Sequence, residues 1–316
     1  MNPLARCLLV LTAALACTPS QAQFFRTYLA SDGNDANPCT LQLPCRLLPA
    51  AIAAVASGGE IWMLDSANYN TSTVNVTKSV SIRAVPGAVG SVVVLGGHGL
   101  TVSADGLDVY LRNLSIGPVA TSPPTVLQYG AVLSGDSTLT LDGCLVADLP
   151  GEGVRASAGM LKIVDSVIRG IGINAVNVHS VARASIARTR ILKSGVGVLV
   201  YGSSSGETVI GTVSDSTISG TGSSMGVVTS LNALNAIARL SVSRTQIDGH
   251  EYGVRARNLG GLDGVSAISV SGSTIVSNNY AFYQSGIGTS IVTNNNNHVA
   301  DNASASVGAV GYLPPQ

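Results

Sequence analysis

The chain has 316 residues with 17 basic and 17 acidic side chains, so its formal net charge is zero and only 11% of its residues are charged. This balance argues against nucleic acid as an electrostatically held partner. Aromatic residues make up only 4%, and small or β-branched residues between Gly, Ser and Asn breaks predict many short strands. No shift in composition divides the chain, so we expect one elongated domain.

Residues 1–22 have the pattern of an export signal. Arg6 supplies the positive charge, the apolar run at residues 7–17 is too short to cross a bilayer, and residues 20–22 offer small residues for cleavage. A buried N-terminal helix is one alternative, and lipid attachment at Cys17 is another. No later segment is apolar for long enough to span a membrane, so the sequence predicts a secreted or periplasmic protein.

The next segment, residues 23–58, is predicted to be an N-terminal cap. Cys39 and Cys45 flank a short loop, which in an exported protein predicts a local disulfide. Zinc is the weaker interpretation, because no second pair of ligands lies nearby. Residues 46–57 have the pattern of an amphipathic helix that ends at Gly58-Gly59. The loop and the helix would cover the open end of a stacked fold.

From residue 111 onward a six-residue phrase recurs. It begins with an apolar residue and two small or polar residues. The fourth residue is usually Ser or Thr, the fifth varies, and the sixth is Ile or Val. The spacing between copies varies from 22 residues, Val146 to Ile168, to 30 residues, Ile116 to Val146. This variation indicates coils of constant cross-section with loops of variable length. The last residues of the copies are Ile116, Val146, Ile168, Ile191, Ile218, Ile247, Ile275 and Val299.

The phrase also predicts a strand that bends. Residues seven and five places before its end are mostly apolar, which is the period of a strand with one buried face. The positions five and two places before the end are three residues apart, an odd number, so they could not both face the interior of a straight strand. The chain is therefore predicted to turn a corner between them. Asn, Gly and Asp tolerate the left-handed backbone that a tight corner requires. The corner positions are Asn113, Gly143, Asp165, Arg188, Asp215, Arg244 and Gly272.

Another apolar stretch follows each copy, which gives about three short strands per coil. Three strands per coil with like residues in register predict an all-β fold, a single parallel β-helix over residues 59–303 whose coils lie ~4.8 Å apart. A β-sandwich would not keep this register, and a propeller blade needs about 40 residues or more. Residues 304–316 are predicted to be a C-terminal tail, and how that end is capped is left open.

The phrase resembles the repeats of right-handed parallel β-helix proteins, the pectate-lyase-like superfamily. The segment from Thr27 to Cys39, with Pro44-Cys45-Arg46 and Gly58-Gly59, resembles the N-terminal segment of many exported bacterial β-helix proteins. The resemblance covers about residues 27–300. It implies the right-handed twist of the coils, and it implies no single activity, because many proteins that share this segment have none assigned.

The corner residues Asp165, Arg188, Asp215 and Arg244 are the candidate catalytic residues. Two carboxylates two coils apart, ~9.6 Å, would suit an inverting glycosidase, and an Arg between acids would suit a calcium-assisted polysaccharide lyase. The simpler interpretation is a structural ladder of ion pairs, in which each Arg would lower the pKa of its neighbouring carboxyls.

Other residues are candidates for binding. Tyr252, Tyr280 and Tyr283 could form a platform for sugar rings, although packing is the simpler role. Asp32 and Asp35 could ligate calcium, although a hydrogen-bonded turn explains them better. No two histidines have metal-ligand spacing, so no metal site is predicted. Cys144 aligns with the Ser and Thr of the other copies, which predicts an interior side chain and argues against a nucleophile.

The favoured function is that of an exported, noncatalytic β-helix, monomeric or weakly associating, which presents a sheet face and loops to a polysaccharide, matrix or surface partner. The alternative is a carbohydrate-active enzyme, a polysaccharide lyase or a glycosidase. A third hypothesis is the passenger of a secretion system, which would need a separate transporter. We expect the variable loops to carry much of the function.

Overall fold

The predicted architecture is confirmed. The computed structural model describes residues 23–118, 127–261 and 263–312, and the part it describes is a right-handed parallel β-helix with one short helix. The export-signal and Cys17 predictions, on residues 1–22, lie outside the described residues. No helix of the described part is long and apolar enough to cross a membrane.

The helix α1 covers Leu48–Ala54. In chain order the strands are β1 (Phe24–Leu29), β2 (Val55–Met63), β3 (Ala67–Asn68), β4 (Val74–Asn75), β5 (Val80–Ala84), β6 (Gly90–Val94), β7 (His98–Val102), β8 (Asp108–Arg112), β9 (Leu114–Pro118), β10 (Tyr129–Leu133), β11 (Thr138–Asp142), β12 (Leu145–Ala147), β13 (Glu152–Ala156), β14 (Met160–Val164), β15 (Val167–Arg169), β16 (Asn174–His179), β17 (Arg183–Ala187), β18 (Arg190–Leu192), β19 (Val196–Gly202), β20 (Thr208–Ser214), β21 (Thr217–Ser219), β22 (Met225–Leu231), β23 (Ala236–Ser243), β24 (Gln246–Asp248), β25 (Tyr252–Asn258), β26 (Gly264–Ser271), β27 (Thr274–Val276), β28 (Tyr280–Ser285), β29 (Thr289–Thr293), β30 (His298–Ala300), β31 (Ser304–Val307) and β32 (Val310–Tyr312).

Three parallel sheets form the sides of the helix, and each full coil gives one strand to each sheet. Sheet A has the strand order β1-β2-β5-β8-β11-β14-β17-β20-β23-β26-β29-β32. Sheet B has the order β3-β6-β9-β12-β15-β18-β21-β24-β27-β30. Sheet C has the order β4-β7-β10-β13-β16-β19-β22-β25-β28-β31. Because every third strand returns to the same sheet, a residue type at one position recurs directly above its counterpart.

The N-terminal end is closed by β1, α1 and the disulfide loop. Cys39 and Cys45 form the predicted disulfide, and Leu48, Ala51 and Ile52 of α1 are buried. The predicted end of the helix at Gly58-Gly59 is wrong. Val55 already has an extended backbone and begins β2, because it pairs with β1, so both glycines lie inside that strand.

The predicted corners all adopt the left-handed backbone, with φ between 46° and 60°. For Arg188 and Arg244 this conformation is unfavourable by intrinsic preference. It is tolerated because the corner N–H groups still bond to the next coil, as those of Arg188 to Ser214 O and of Arg244 to Ser271 O, both at 3.1 Å. The coil-to-coil register therefore overrides the local preference of the residue.

The interior is a set of stacked apolar columns. The terminal Ile or Val of the repeated phrase is at most 1% exposed in every copy from Ile116 to Ile275. Val299, the last copy, is 36% exposed. Its strand β30 is the last of sheet B, so no further described coil covers it.

A column of interior hydroxyls runs beside the corners. Ser216 Oγ donates to Ser214 O at 2.7 Å and accepts the N–H of Thr189 in the preceding coil at 3.1 Å. The N–H of Thr245 likewise bonds Ser273 Oγ, and in the last coil Asn297 Oδ1 takes the place of the hydroxyl. The column therefore satisfies backbone donors that the corner would leave buried and unpaired.

The C-terminal boundary lies later than the sequence suggested. The strands β31 and β32 continue sheets C and A to Tyr312, beyond residue 303. Their side chains complete the columns of the coil below, with Val310 beside Ile291 and Ser306 beside Phe282.

The hydroxyl column gives a first prediction. The substitution Ser216→Ala leaves the buried N–H of Thr189 unpaired and should lower the free energy of unfolding by about 2 kcal/mol. The control is Ser185→Ala, on the outer face of sheet A, where no described hydrogen bond is lost. Urea unfolding followed by circular dichroism measures both, and equal midpoints would refute the role of the column.

Candidate functional site

The four corner residues form two separate ion pairs. Arg188 binds the Asp165 carboxylate through Nε and Nη2 at 2.7 and 2.9 Å, and Arg244 binds Asp215 at 2.6 and 2.8 Å. All four side chains are at least 40% exposed. In each pair the Arg hydrogen bonds hold the pKa of the Asp below its ordinary value. A carboxyl with a lowered pKa is a poor general acid, so the geometry favours the ion-pair interpretation.

Cys144 lies in the interior column. It is 2% exposed, and its Sγ lies 3.4 Å from Leu111 O. Burial raises the pKa of its thiol to about 11. A thiol with this pKa is protonated and shielded, which is the opposite of what a nucleophile requires.

Asp35, one of the two acidic residues considered as calcium ligands, has local hydrogen-bond partners. Asp35 Oδ1 accepts the N–H groups of Arg46 and Leu47, both at 2.8 Å, immediately before α1. This side chain therefore ties the disulfide loop to the helix. Among residues 23–118, 127–261 and 263–312, no group of three or more His, Cys, Asp or Glu could hold a metal ion.

The structure brings Tyr252, Tyr280 and Tyr283 together on the outer face of sheet C. The rings of Tyr252 and Tyr280 stack with centroids 5.3 Å apart, and Tyr283 meets both edge-on. The Arg255 guanidinium lies 4.3 Å from the ring centroid of Tyr252 and 5.2 Å from that of Tyr283. These contacts hold the rings in fixed positions on neighbouring strands.

A polar cluster that the sequence analysis missed lies on the same face. Glu152, only 5% exposed, accepts hydrogen bonds on Oε1 from Asn174 Nδ2 at 2.6 Å and Asn177 Nδ2 at 2.7 Å. Its Oε2 lies 3.8 Å from Arg155 Nη1 and has no hydrogen-bond partner among the described residues. The carboxylate is thus fixed in place by two amides beneath an arginine.

Arg155 joins this cluster to a histidine and a tyrosine. Its Nε donates to His179 Nε2 at 2.9 Å, and its Nη1 lies 3.5 Å from the Tyr129 hydroxyl. Burial, followed by the charge of Arg155, lowers the pKa of His179. His98 stacks on Tyr129 with centroids 5.0 Å apart. We define the polar cluster as Tyr129, Glu152, Arg155, Asn174, Asn177 and His179.

The two clusters share one continuous surface. Val196, Leu199 and Val228 lie between them and pack with Tyr201 and Met225. From β7 to β28 the sheet has eight strands, so this face is ~34 Å long. The signal in the sequence that marks these residues as outward-facing is the alternation along each strand of sheet C.

Comparison with known proteins shows the fold. No model of a known protein family matches the chain, and no curated protein matches its sequence. The solved structure of pectate lyase Pel9A is similar, with a TM-score of 0.55 and 11% identity over 92% of this chain and 80% of that one. Tailspike protein 2 of the Escherichia coli O157:H7 bacteriophage CAB120 has a TM-score of 0.54 and 12% identity over 84% of this chain. The chain spans 38% of the tailspike.

These matches confirm the resemblance to pectate-lyase-like β-helices at the level of the fold. At 11–12% identity they carry no residue of either protein's site over to this chain.

The corner pairs predict a titration. The pKa of Asp215 should lie below 3.8 in the wild type and return towards it in Arg244→Gln. Because the pKa of Asp215 is lower in the folded protein than in the unfolded chain, the ion pair stabilises the fold at pH values above the unfolded pKa. This stabilisation is lost as the pH falls through the folded pKa. Carbon-13 NMR of the carboxyl measures the pKa. With both side chains exposed, the change in melting temperature should be small. An unchanged pKa in the variant would refute the pairing.

The burial of Cys144 predicts that the folded protein does not react with a thiol reagent such as DTNB at pH 8, and that the thiol reacts after denaturation in urea. The measurement uses the chain from residue 23, which contains this single free cysteine. Rapid reaction of the native protein would contradict the inert role.

Proposed function

We propose that the protein binds a polysaccharide along the outer face of sheet C and releases it uncleaved. The observation that carries the proposal is the alignment of the tyrosine trio and the polar cluster on one face ~34 Å long. A face of this length accommodates several sugar units of an extended chain in one orientation.

The chemistry of both clusters suits sugars. The apolar face of a sugar ring packs on an aromatic ring, and its hydroxyls exchange hydrogen bonds with amide, guanidinium and imidazole groups. Tyr252 covers one face of the Tyr280 ring, and the register partner of Tyr280 on the other side is Ser304. That serine is small, so the second face of Tyr280 is available for stacking.

The comparisons support a polysaccharide ligand without specifying one. Pel9A is by name a lyase of pectate, and its fold is the one found here. Secretion is part of the proposal as well. The Cys39–Cys45 disulfide is stable in an oxidising compartment, and the pattern of residues 1–22 would direct the chain there.

The polar cluster also favours a second candidate, a polysaccharide lyase or glycoside hydrolase. It places a carboxylate, an imidazole and a phenol around Arg155. In the structure, however, these groups face one another. Glu152 Oε1 accepts hydrogen bonds from two amides, and His179 Nε2 accepts one from Arg155, so neither atom is free to exchange a proton with a substrate. The other carboxylate oxygen, Oε2, is buried and lies 3.8 Å from Arg155 Nη1. Binding is therefore the better supported function.

The test is a panel of neutral and acidic polysaccharides that reports both retention and the release of new reducing or unsaturated ends. We expect retention without product. Tyr280→Ala should weaken binding by about tenfold or more, since it removes an aromatic stacking surface. The control is Tyr110→Ala, on the outer face of sheet A, which should bind as the wild type does.

Two results would contradict the proposal. Product release that disappears in Glu152→Gln would establish the enzyme in place of the binding protein. Equal loss of binding in the sheet C and sheet A variants would show that the proposed face is not the binding surface.

A further inference from the structure

Two arginines of sheet C lie side by side on the outer face. Arg255 and Arg257 alternate along β25 with Val254 and Ala256, which are fully buried in the interior. Residues two apart on a strand point to the same side and lie ~7 Å apart. Both guanidinium groups therefore belong to the surface that holds the tyrosine trio.

Neither arginine is neutralised. No carboxylate of the described residues lies within 4.0 Å of their guanidinium nitrogens, in contrast to Arg188 and Arg244. Arg255 is held by the two tyrosine rings and by Met225 Sδ, 3.5 Å from its Nη1. Arg257 Nε donates to Ser230 Oγ at 3.1 Å. These partners position the side chains without cancelling their charge.

The pair is partly withdrawn from water. Burial, and then the charge of Arg255, lowers the pKa of Arg257. Two like charges in a partly desolvated position are unfavourable unless a counter-charge approaches. Among the described residues the nearby carboxylate of Glu251 hydrogen-bonds the Tyr252 side chain and forms no ion pair with either arginine, so an external anion would relieve the repulsion.

We propose that Arg255 and Arg257 form a subsite for a sulfate or phosphate ester carried by the bound polysaccharide. The inference rests on the proposed function and names the class of ligand group at one end of its face. Sulfate and phosphate esters share the required chemistry, a tetrahedral group with oxygens that accept hydrogen bonds from several directions.

The donors that remain free favour a tetrahedral group over a carboxylate. A carboxylate pairs best with the planar fork of Nε and Nη on one guanidinium. Arg255 Nε is buried and without a hydrogen-bond partner, and Arg257 Nε is engaged by Ser230. The Nε edge of Arg255 is therefore shielded and that of Arg257 is engaged, so an anion would have to approach through Nη groups, and a tetrahedral group can accept from both side chains because its oxygens point in several directions.

The experiment compares four polymers at one ionic strength: dextran, dextran sulfate, dextran phosphate and polygalacturonate. The wild type should bind at least one of the two dextran esters more tightly than both dextran and polygalacturonate. The double variant R255Q/R257Q should lose affinity for that ester by about 30-fold, the effect of losing two charge-assisted contacts. Its affinity for dextran, which has no ester to pair, should fall by much less, a loss that reflects only the contacts of Arg255 with Tyr252 and Tyr283. An equal loss for dextran and the ester would overturn the subsite.

The matched control is R190Q/R239Q, which removes the same charge from exposed arginines of sheets B and A. It should retain ester binding, apart from a small effect of net charge that salt abolishes. Equal losses in both double variants would overturn the subsite, because they would show general attraction of a polyanion. Tighter binding of polygalacturonate would overturn the tetrahedral preference.

The failures of the two proposals are distinguishable. If the wild type retains a neutral polysaccharide through Tyr280 but the ester groups add no affinity, the subsite is refuted and the binding function stands. If no polymer of either panel is retained, both fall. Circular dichroism and the urea midpoint verify that the variants fold. If the glutamine variant does not fold, R255K/R257K replaces it. This variant keeps both charges but loses the paired Nη groups, and its affinity for the ester should fall by about tenfold.

Discussion

The structure depends on the register of coil on coil. Each strand hydrogen-bonds to the strand one coil above and one coil below, so any position is surrounded by its own counterparts. This constraint produces the apolar columns of the interior, the hydroxyl column at the corners and the two ion pairs outside them. It also decides which outer residues meet, because Tyr252 contacts Tyr280 only through the alignment of β25 with β28.

The same constraint explains why the fold could be predicted from the sequence. The repeated Ile and Val mark the interior, and one odd step between apolar positions marks the corner, so the left-handed backbone was predicted even at Arg188 and Arg244, where residue preference opposes it. The end of α1 was predicted wrongly because the pairing between strands overrides the local sequence signal. Gly58 and Gly59 resemble a helix stop locally, but pairing with β1 extends β2 back to Val55.

The candidate site was predictable only in part. The tyrosines attract attention because aromatic residues are rare in this chain, whereas the polar cluster consists of single outward residues of separate coils. Glu152 and His179 are 27 positions apart in sequence and have no periodic signal, and they meet through Arg155 only when the strands of sheet C are stacked. The outward residues determine what the surface binds. They differ from coil to coil, so the repeated phrase does not reveal them.

The hydroxyl column has a direction. The N–H of Thr189 is paired by Ser216 of the following coil, and those of Thr245 and Ser273 are paired by Ser273 and Asn297, so these donors are satisfied only when the following coil is in place. Each of these donors would be buried and unpaired in a chain that ended one coil earlier. Asn297, which bonds the N–H of Ser273 and also donates to Val270 O, ends the series with a side chain long enough to serve both. At Asn297 the change from hydroxyl to amide thus lets one side chain of the last described coil pair both a donor and an acceptor of the coil before it.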